Sequence, residues 1–104
     1  MPRDINLAIV TGYVATTPAF VPIKNNKKIL VFTLRNIERY ELADGTQASH
    51  ENNIVVEVLG KNADKYVTLL LPKKRYVING YLRVDNFNGE DRVRLRAYRI
   101  EEAE

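Results

Sequence analysis

Near the end of the chain, Arg92-Val93-Arg94-Leu95-Arg96-Ala97-Tyr98 alternates strictly between apolar side chains and side chains that are cationic or aromatic. On a β-strand this period of two puts Val93, Leu95 and Ala97 on one face and Arg92, Arg94, Arg96 and Tyr98 on the other. Three guanidinium groups aimed at one surface repel one another unless a polyanion or neighbouring carboxylates balance them. A polyanion makes this face a nucleic-acid surface; carboxylates on adjacent strands make it a solvated structural face. Two more basic groups, Lys24, Lys27 and Lys28 at one turn and Lys73, Lys74 and Arg75 at another, either clamp a phosphodiester backbone or keep exposed turns soluble.

Catalytic chemistry is poorly supplied. The chain has no cysteine, which excludes disulfides and thiolate metal sites, and a single histidine, His50. Ser49 is adjacent to His50, but adjacency in sequence does not create nucleophile–base geometry. Glu57 alternates with apolar neighbours and is either a buried acid or the cross-strand partner of an arginine. With no phosphate-binding glycine loop and no metal-ligand spacing, the residues point to binding without catalysis, cofactor or metal.

The 104 residues suffice for one domain with one core, spanning 1–104. Lys and Arg number 16 against 13 Asp and Glu, and three of those acids are Glu101, Glu102 and Glu104. The body of the chain is therefore more basic than its formal net charge of +3, which suits a polyanionic partner. Met1-Pro2-Arg3-Asp4 lacks the apolar stretch of a signal peptide and no run is long enough to span a bilayer, so the expected setting is cytoplasmic.

Five strands are expected at 5–15, 29–37, 54–59, 76–84 and 92–100, with Gly12 marking a bend that lets the first strand serve two sheets. The polar stretch Glu41 to Asn53 reads as a mobile loop. Ala63, Tyr66, Val67 and Leu70 fall at helical spacing over 62–71, before Pro72. Three strands, one helix and two strands is the order of an all-β fold with one helix, the five-stranded oligonucleotide/oligosaccharide-binding (OB) barrel, the helix lying between strands 3 and 4. Phe20 and Phe32 read as core, Tyr13, Tyr66, Tyr76 and Tyr98 as core or surface, and Lys61 as structural. Tyr40 and Phe87, in polar strand-end and turn surroundings, read as stacking platforms, and Tyr81, sharing a strand face with Arg83, as a further contact.

Asn6 to Val14 followed by Pro18, Phe32-Thr33-Leu34, Glu38-Arg39-Tyr40, Val55 to Lys61, Ile78 to Arg83 and Asp91-Arg92 together resemble the DNA-binding domain of bacterial single-stranded DNA-binding proteins, from about Asn6 to Arg99. The resemblance implies sequence-tolerant binding of single-stranded DNA in replication, recombination or repair, by a homodimer or homotetramer associated with the nucleoid if bacterial. It places Tyr40 and Phe87 at stacking positions, and Asn53 and Leu59 where the family usually has Trp and Phe. Arg35, Arg39, Arg83, Arg92, Arg94 and Arg96 are expected to meet phosphates. The sequence ends at Glu101-Glu102-Ala103-Glu104 without the family's usual flexible acidic tail, which implies either a cut at the domain edge or a tailless relative resembling the primosomal protein PriB. A module that docks replisome proteins, or an RNA-binding OB domain, are the alternative expectations.

Overall fold

Stretches rich in β-branched and aromatic residues become strands in the computed structural model, which describes residues 4–103. Met1, Pro2 and Arg3, which open the segment read as lacking a signal peptide, and Glu104 of the acidic end lie outside the described residues. In chain order the elements are β1 (Ala8–Val14), β2 (Ala19–Pro22), β3 (Lys28–Glu41), β4 (Gln47–Val58), α1 (Lys61–Val67), β5 (Arg75–Phe87) and β6 (Glu90–Glu102). They form one sheet ordered β1-β5-β6-β4-β3-β2, with β1 also paired to β3. That last pairing closes five strands into a barrel, and β2 lengthens the edge of β3. Among these strands, β4 and β6 pair in parallel and the other pairings are antiparallel.

The inner face carries the core: Val14, Leu30, Phe32, Leu34, Val56, Val58, Ile78, Leu95, Ala97 and Ile100, capped by Ala63, Tyr66 and Leu70. Phe20 packs against it as expected. Tyr66 and Tyr76 also prove to be core, and each hydroxyl has a backbone partner. Ile100 N–H donates to Tyr66 Oη at 3.2 Å, and the Tyr76 hydroxyl accepts from Leu71 N–H while donating to the Leu69 carbonyl.

Several boundaries differ from the sequence reading, each for a physical reason. The helix follows β4 because Ala19–Pro22 pairs with β3 as a strand of its own. It ends at Val67, short of Leu71, because the Tyr76 hydroxyl takes backbone groups of Leu69 and Leu71. Gln47–Asn53 is strand: β3 and β4 stay paired out to Glu41 and Gln47 across an Asp44-Gly45 turn. Backbone ladder bonds do not require apolar side chains, so a polar arm extends past the core. Val93, assigned to the packed face, is 57% exposed, since this part of β6 likewise projects beyond the barrel. Alternation also breaks at Tyr98, where Gly80 pairs with Ala97 and Asn79 with Arg99, leaving Tyr98 as the bulged residue.

Two glycines permit these crossings. Tyr13 pairs with Arg75 of β5 and with Arg35 of β3, so β1 serves both neighbours beside Gly12, where a Cβ would lie 2.5 Å from the Arg35 carbonyl oxygen. At the bulge, a Cβ on Gly80 would lie 2.1 Å from the Arg96 carbonyl oxygen. Gly80→Ala must therefore push β6 away from β5, and it is expected to cost about 1–3 kcal/mol, the scale of overpacking. A urea-unfolding midpoint equal to the parent's would show that the strands tolerate the added methyl.

Candidate nucleic-acid interface

Strand parity decides which side chains leave the barrel. Phe32, Leu34, Val56 and Leu95 point inward, so residues of opposite parity point outward. Paired registers then align Val31, Glu57, Arg96 and Tyr81 in one row across β3, β4, β6 and β5. Arg83 pairs with Arg94 and Asp85 with Arg92 further along the same side. Arg35 pairs with Asn53, and Arg39 with Ser49, on the outward side of β3 and β4. Eight of the predicted residues, Arg35, Arg39, Tyr81, Arg83, Phe87, Arg92, Arg94 and Arg96, thus share one outward parity, as does Arg75 at the start of β5.

Within the row sits a carboxylate. Glu57 is 3% exposed and accepts hydrogen bonds from Arg94 Nη1 at 2.6 Å and from Arg96 Nη2 at 3.0 Å. The two readings of the arginine ladder therefore divide within it: Arg94 and Arg96 meet a neighbouring carboxylate, whereas Arg92 lies over the Phe87 ring, 4.5 Å from its centroid. Phe87 is 53% exposed. The guanidinium thus lies against the face of an exposed ring, a cation–π contact.

A second cluster surrounds Arg35. Its Nη1 donates to the Tyr13 hydroxyl and its Nε to Asn53 Oδ1, both at 3.1 Å, with Glu51 at 3.6 Å. The Tyr13 hydrogen bond holds the guanidinium pKa above its ordinary value. Behind it, Asn36 Nδ2 donates to the Thr11 carbonyl and Asn52 Nδ2 to Asn36 Oδ1, tying β1, β3 and β4. Tyr13 and Asn53 were not among the site residues read from sequence. The signal for Asn53 is Ala43-Asp44-Gly45: taken as a three-residue hairpin loop with Gly45 at its left-handed position, it puts Leu42 opposite Thr46 and so Arg35 opposite Asn53.

Other predicted residues lie elsewhere. Tyr40, 47% exposed, pairs with Ala48 and leaves the opposite side of the β3–β4 arm from Arg39. Lys24, Lys27 and Lys28 surround the β2–β3 turn, with the Lys28 ammonium 4.1 Å from the Phe20 ring centroid. A groove of about 620 Å³ there is lined by Ile23, Lys27, Leu59 and Lys61. Lys73 and Lys74 are tied to Val14 by backbone bonds at the end of β1, and Lys74 is paired with Glu102. Arg75 opens β5 opposite Tyr13. Among the described residues no group of three or more His, Asp or Glu is placed to hold a metal, and no helix is long and apolar enough to cross a membrane.

The profile of the single-strand binding protein family matches residues 5–103. Comparison with curated proteins gave no match. Among solved structures, the fold is similar to the small single-stranded DNA-binding protein from Streptomyces coelicolor, at 21% identity over 98% of this chain and 96% of that one, with a TM-score of 0.77. It is similar to the Plasmodium falciparum SSB in its complex with ssDNA, at 15% identity over 100% and 99% of the two chains, TM-score 0.82. It is also similar to the single-stranded DNA binding protein from Thermus aquaticus, at 20% identity and TM-score 0.82, where 99% of this chain covers 52% of that one. At these identities the likeness concerns the fold.

Magnitudes separate the ion pairs of the domain. Exposed pairs such as Lys74–Glu102 and Arg83–Asp85 are worth about 0–1 kcal/mol. Buried Glu57 is different, because a carboxylate taken out of water loses more when a partner is removed. Arg96→Met is expected to cost about 1.5–3 kcal/mol, the worth of one hydrogen bond to a charged group, since Arg94 remains. Lys74→Met should cost less than about 1 kcal/mol. Equal losses for the two variants in urea unfolding would remove the distinction.

Proposed function

The chain belongs to the single-strand binding protein family, and from that premise we propose that its outward sheet face holds single-stranded DNA with little regard to sequence. The observation that carries this is the register that puts six arginines, Tyr81 and Phe87 on one side of β3, β4, β5 and β6. Cations track a phosphate backbone, and an exposed ring accepts any base because every base has a π-face. Arg35, Arg39, Arg83 and Arg92 supply charge, Phe87 with Arg92 a platform, and Tyr81 a central contact. Tyr40 leaves the other side of the β3–β4 arm, so a strand reaching both Tyr40 and Phe87 passes around that arm. Lys24, Lys27 and Lys28 would extend the charged path at one end; Lys73, Lys74 and Arg75 flank it near β1. The whole chain would act as one OB unit, with the helix bracing the barrel.

The chemistry is binding without catalysis, in a cytoplasmic setting where replication, recombination or repair exposes single strands. Asn53 and Leu59, at positions where the family resemblance expects rings, lower the stacking capacity. Two lost platforms are worth on the order of 2–6 kcal/mol. The remaining rings then carry more of the affinity. Tyr40→Ala and Phe87→Ala should each weaken binding by about 1–3 kcal/mol, and Asn53→Trp should tighten it with quenching of the new indole. Titration with labelled single-stranded DNA, duplex DNA and RNA of equal length measures this. Equal affinity for single strand and duplex would overturn the reading, and a tighter complex with RNA would redirect it to the alternative partner.

Self-association accompanies this reading. Along Ala8–Gly12, β1 is paired to β5 on one edge, and no strand among the described residues occupies the other. Ile5, Leu7 and Ile9 beside it are 93%, 61% and 61% exposed. Such an edge invites strand pairing with another copy, giving a dimer or a tetramer built from two dimers. Sedimentation at micromolar concentration should show a species larger than the monomer; a monomer throughout would overturn this assignment.

A further inference from the structure

We propose that Glu57 is an affinity-limiting residue, which holds Arg94 and Arg96 so that the two guanidinium groups present one net charge, not two, to a bound strand. The inference rests on the single-strand reading above and adds a residue that this reading does not use. Glu57 lies in the row between Val31 and Arg96 and is 3% exposed, while the side chains of Arg94 and Arg96 are 29% and 13% exposed. Both arginines donate to it, one to each carboxylate oxygen. Arg96 Nε is buried with no hydrogen-bond partner among the described residues, so this side chain is held at the carboxylate with one donor unsatisfied.

A phosphate that drew either guanidinium fully away would leave Glu57 with a single partner, its negative charge facing the phosphate and almost out of water. Contact is therefore confined to the outward N–H groups, chiefly those of the more exposed Arg94. Neither Val31 nor Tyr81, the other members of the row, carries charge to alter this balance. The trio of Glu57, Arg94 and Arg96 sums to +1. The affinity of the face is lower, and its exchange of strands easier, than a count of arginines implies.

Salt dependence reads this charge directly, because each phosphate neutralised on a single strand adds about 0.7 to the slope of log K against log salt. With an oligothymidylate as probe, Glu57→Gln should steepen the slope by about 0.7 and tighten binding about fivefold at 0.1 M salt relative to 1 M. Arg96→Gln should flatten the parent slope by about 0.7, because Glu57 then neutralises Arg94. The double variant Glu57→Gln with Arg96→Gln should return to the parent slope, and it serves even if two unbalanced arginines prevent the single Glu57 variant from folding. A double variant as flat as Arg96→Gln alone would make Arg96 an independent phosphate anchor and overturn the proposal. An unchanged slope in folded Glu57→Gln would do the same. Parent protein that does not bind the oligonucleotide would instead overturn the single-strand reading, and this proposal with it.

Discussion

Closure of the barrel depends on one strand satisfying two neighbours. Around Gly12 and Tyr13, β1 leaves β5 and takes up β3, and the approach is so close that no side chain fits at Gly12. One flank of the outward face inherits its position from this junction. Tyr13 arrives beside Arg35 because the strands cross there, and Arg35 in turn engages Asn53 on β4. Thr11 offers its carbonyl to Asn36, which holds Asn52. Side chains therefore lock the seam that the backbone makes, and the seam fixes one flank of the candidate interface.

The opposite flank is governed by a second close approach, at Gly80. The β5–β6 bulge beside it shifts the parity of β6, so that Arg92, Arg94 and Arg96 lie outward before the bulge and Ile100 returns to the core after it. Without that extra residue, the strand could not both present its arginines and bury Ile100. A run of basic residues is in this way made compatible with a packed barrel. Glu57 completes the arrangement from the neighbouring parallel strand, where the register sets it beside Arg96.

Charge on the face is thus graded, and the grading has a structural cause. Arg94 and Arg96 share a buried carboxylate near the barrel, Arg35 shares hydrogen-bond acceptors at the seam, and Arg92 covers a ring where β5 and β6 project into solvent. Toward the arms, burial falls and side chains exchange fixed partners for solvent. The same projection exposes Leu82, Val84 and Val93 on the reverse side of the β5–β6 arm. Asn6 partly closes this region, donating to the Leu82 carbonyl and accepting from Leu82 N–H in place of a strand neighbour.

Much of this was legible in the chain itself. Alternation identified the strands that bury Phe32, Leu34, Val56 and Ile78, Gly12 marked the bend, and the change of period at Ala63 and Tyr66 marked the helix, because local periodicity records which side of an element meets the core. The order of short motifs carried the family. The polar half of β4 was not legible, since an arm without a core on either side needs no alternation and its ladder is made by backbone groups alone. Nor could parity be carried through Tyr98, because a bulge is set by the pairing of two distant strands. The partner of Glu57 was open for the same reason. Alternation left Glu57 as either a buried acid or the cross-strand partner of an arginine, and only the parallel register of β4 and β6, 37 and 39 residues apart in sequence at the two contacts, chose Arg94 and Arg96.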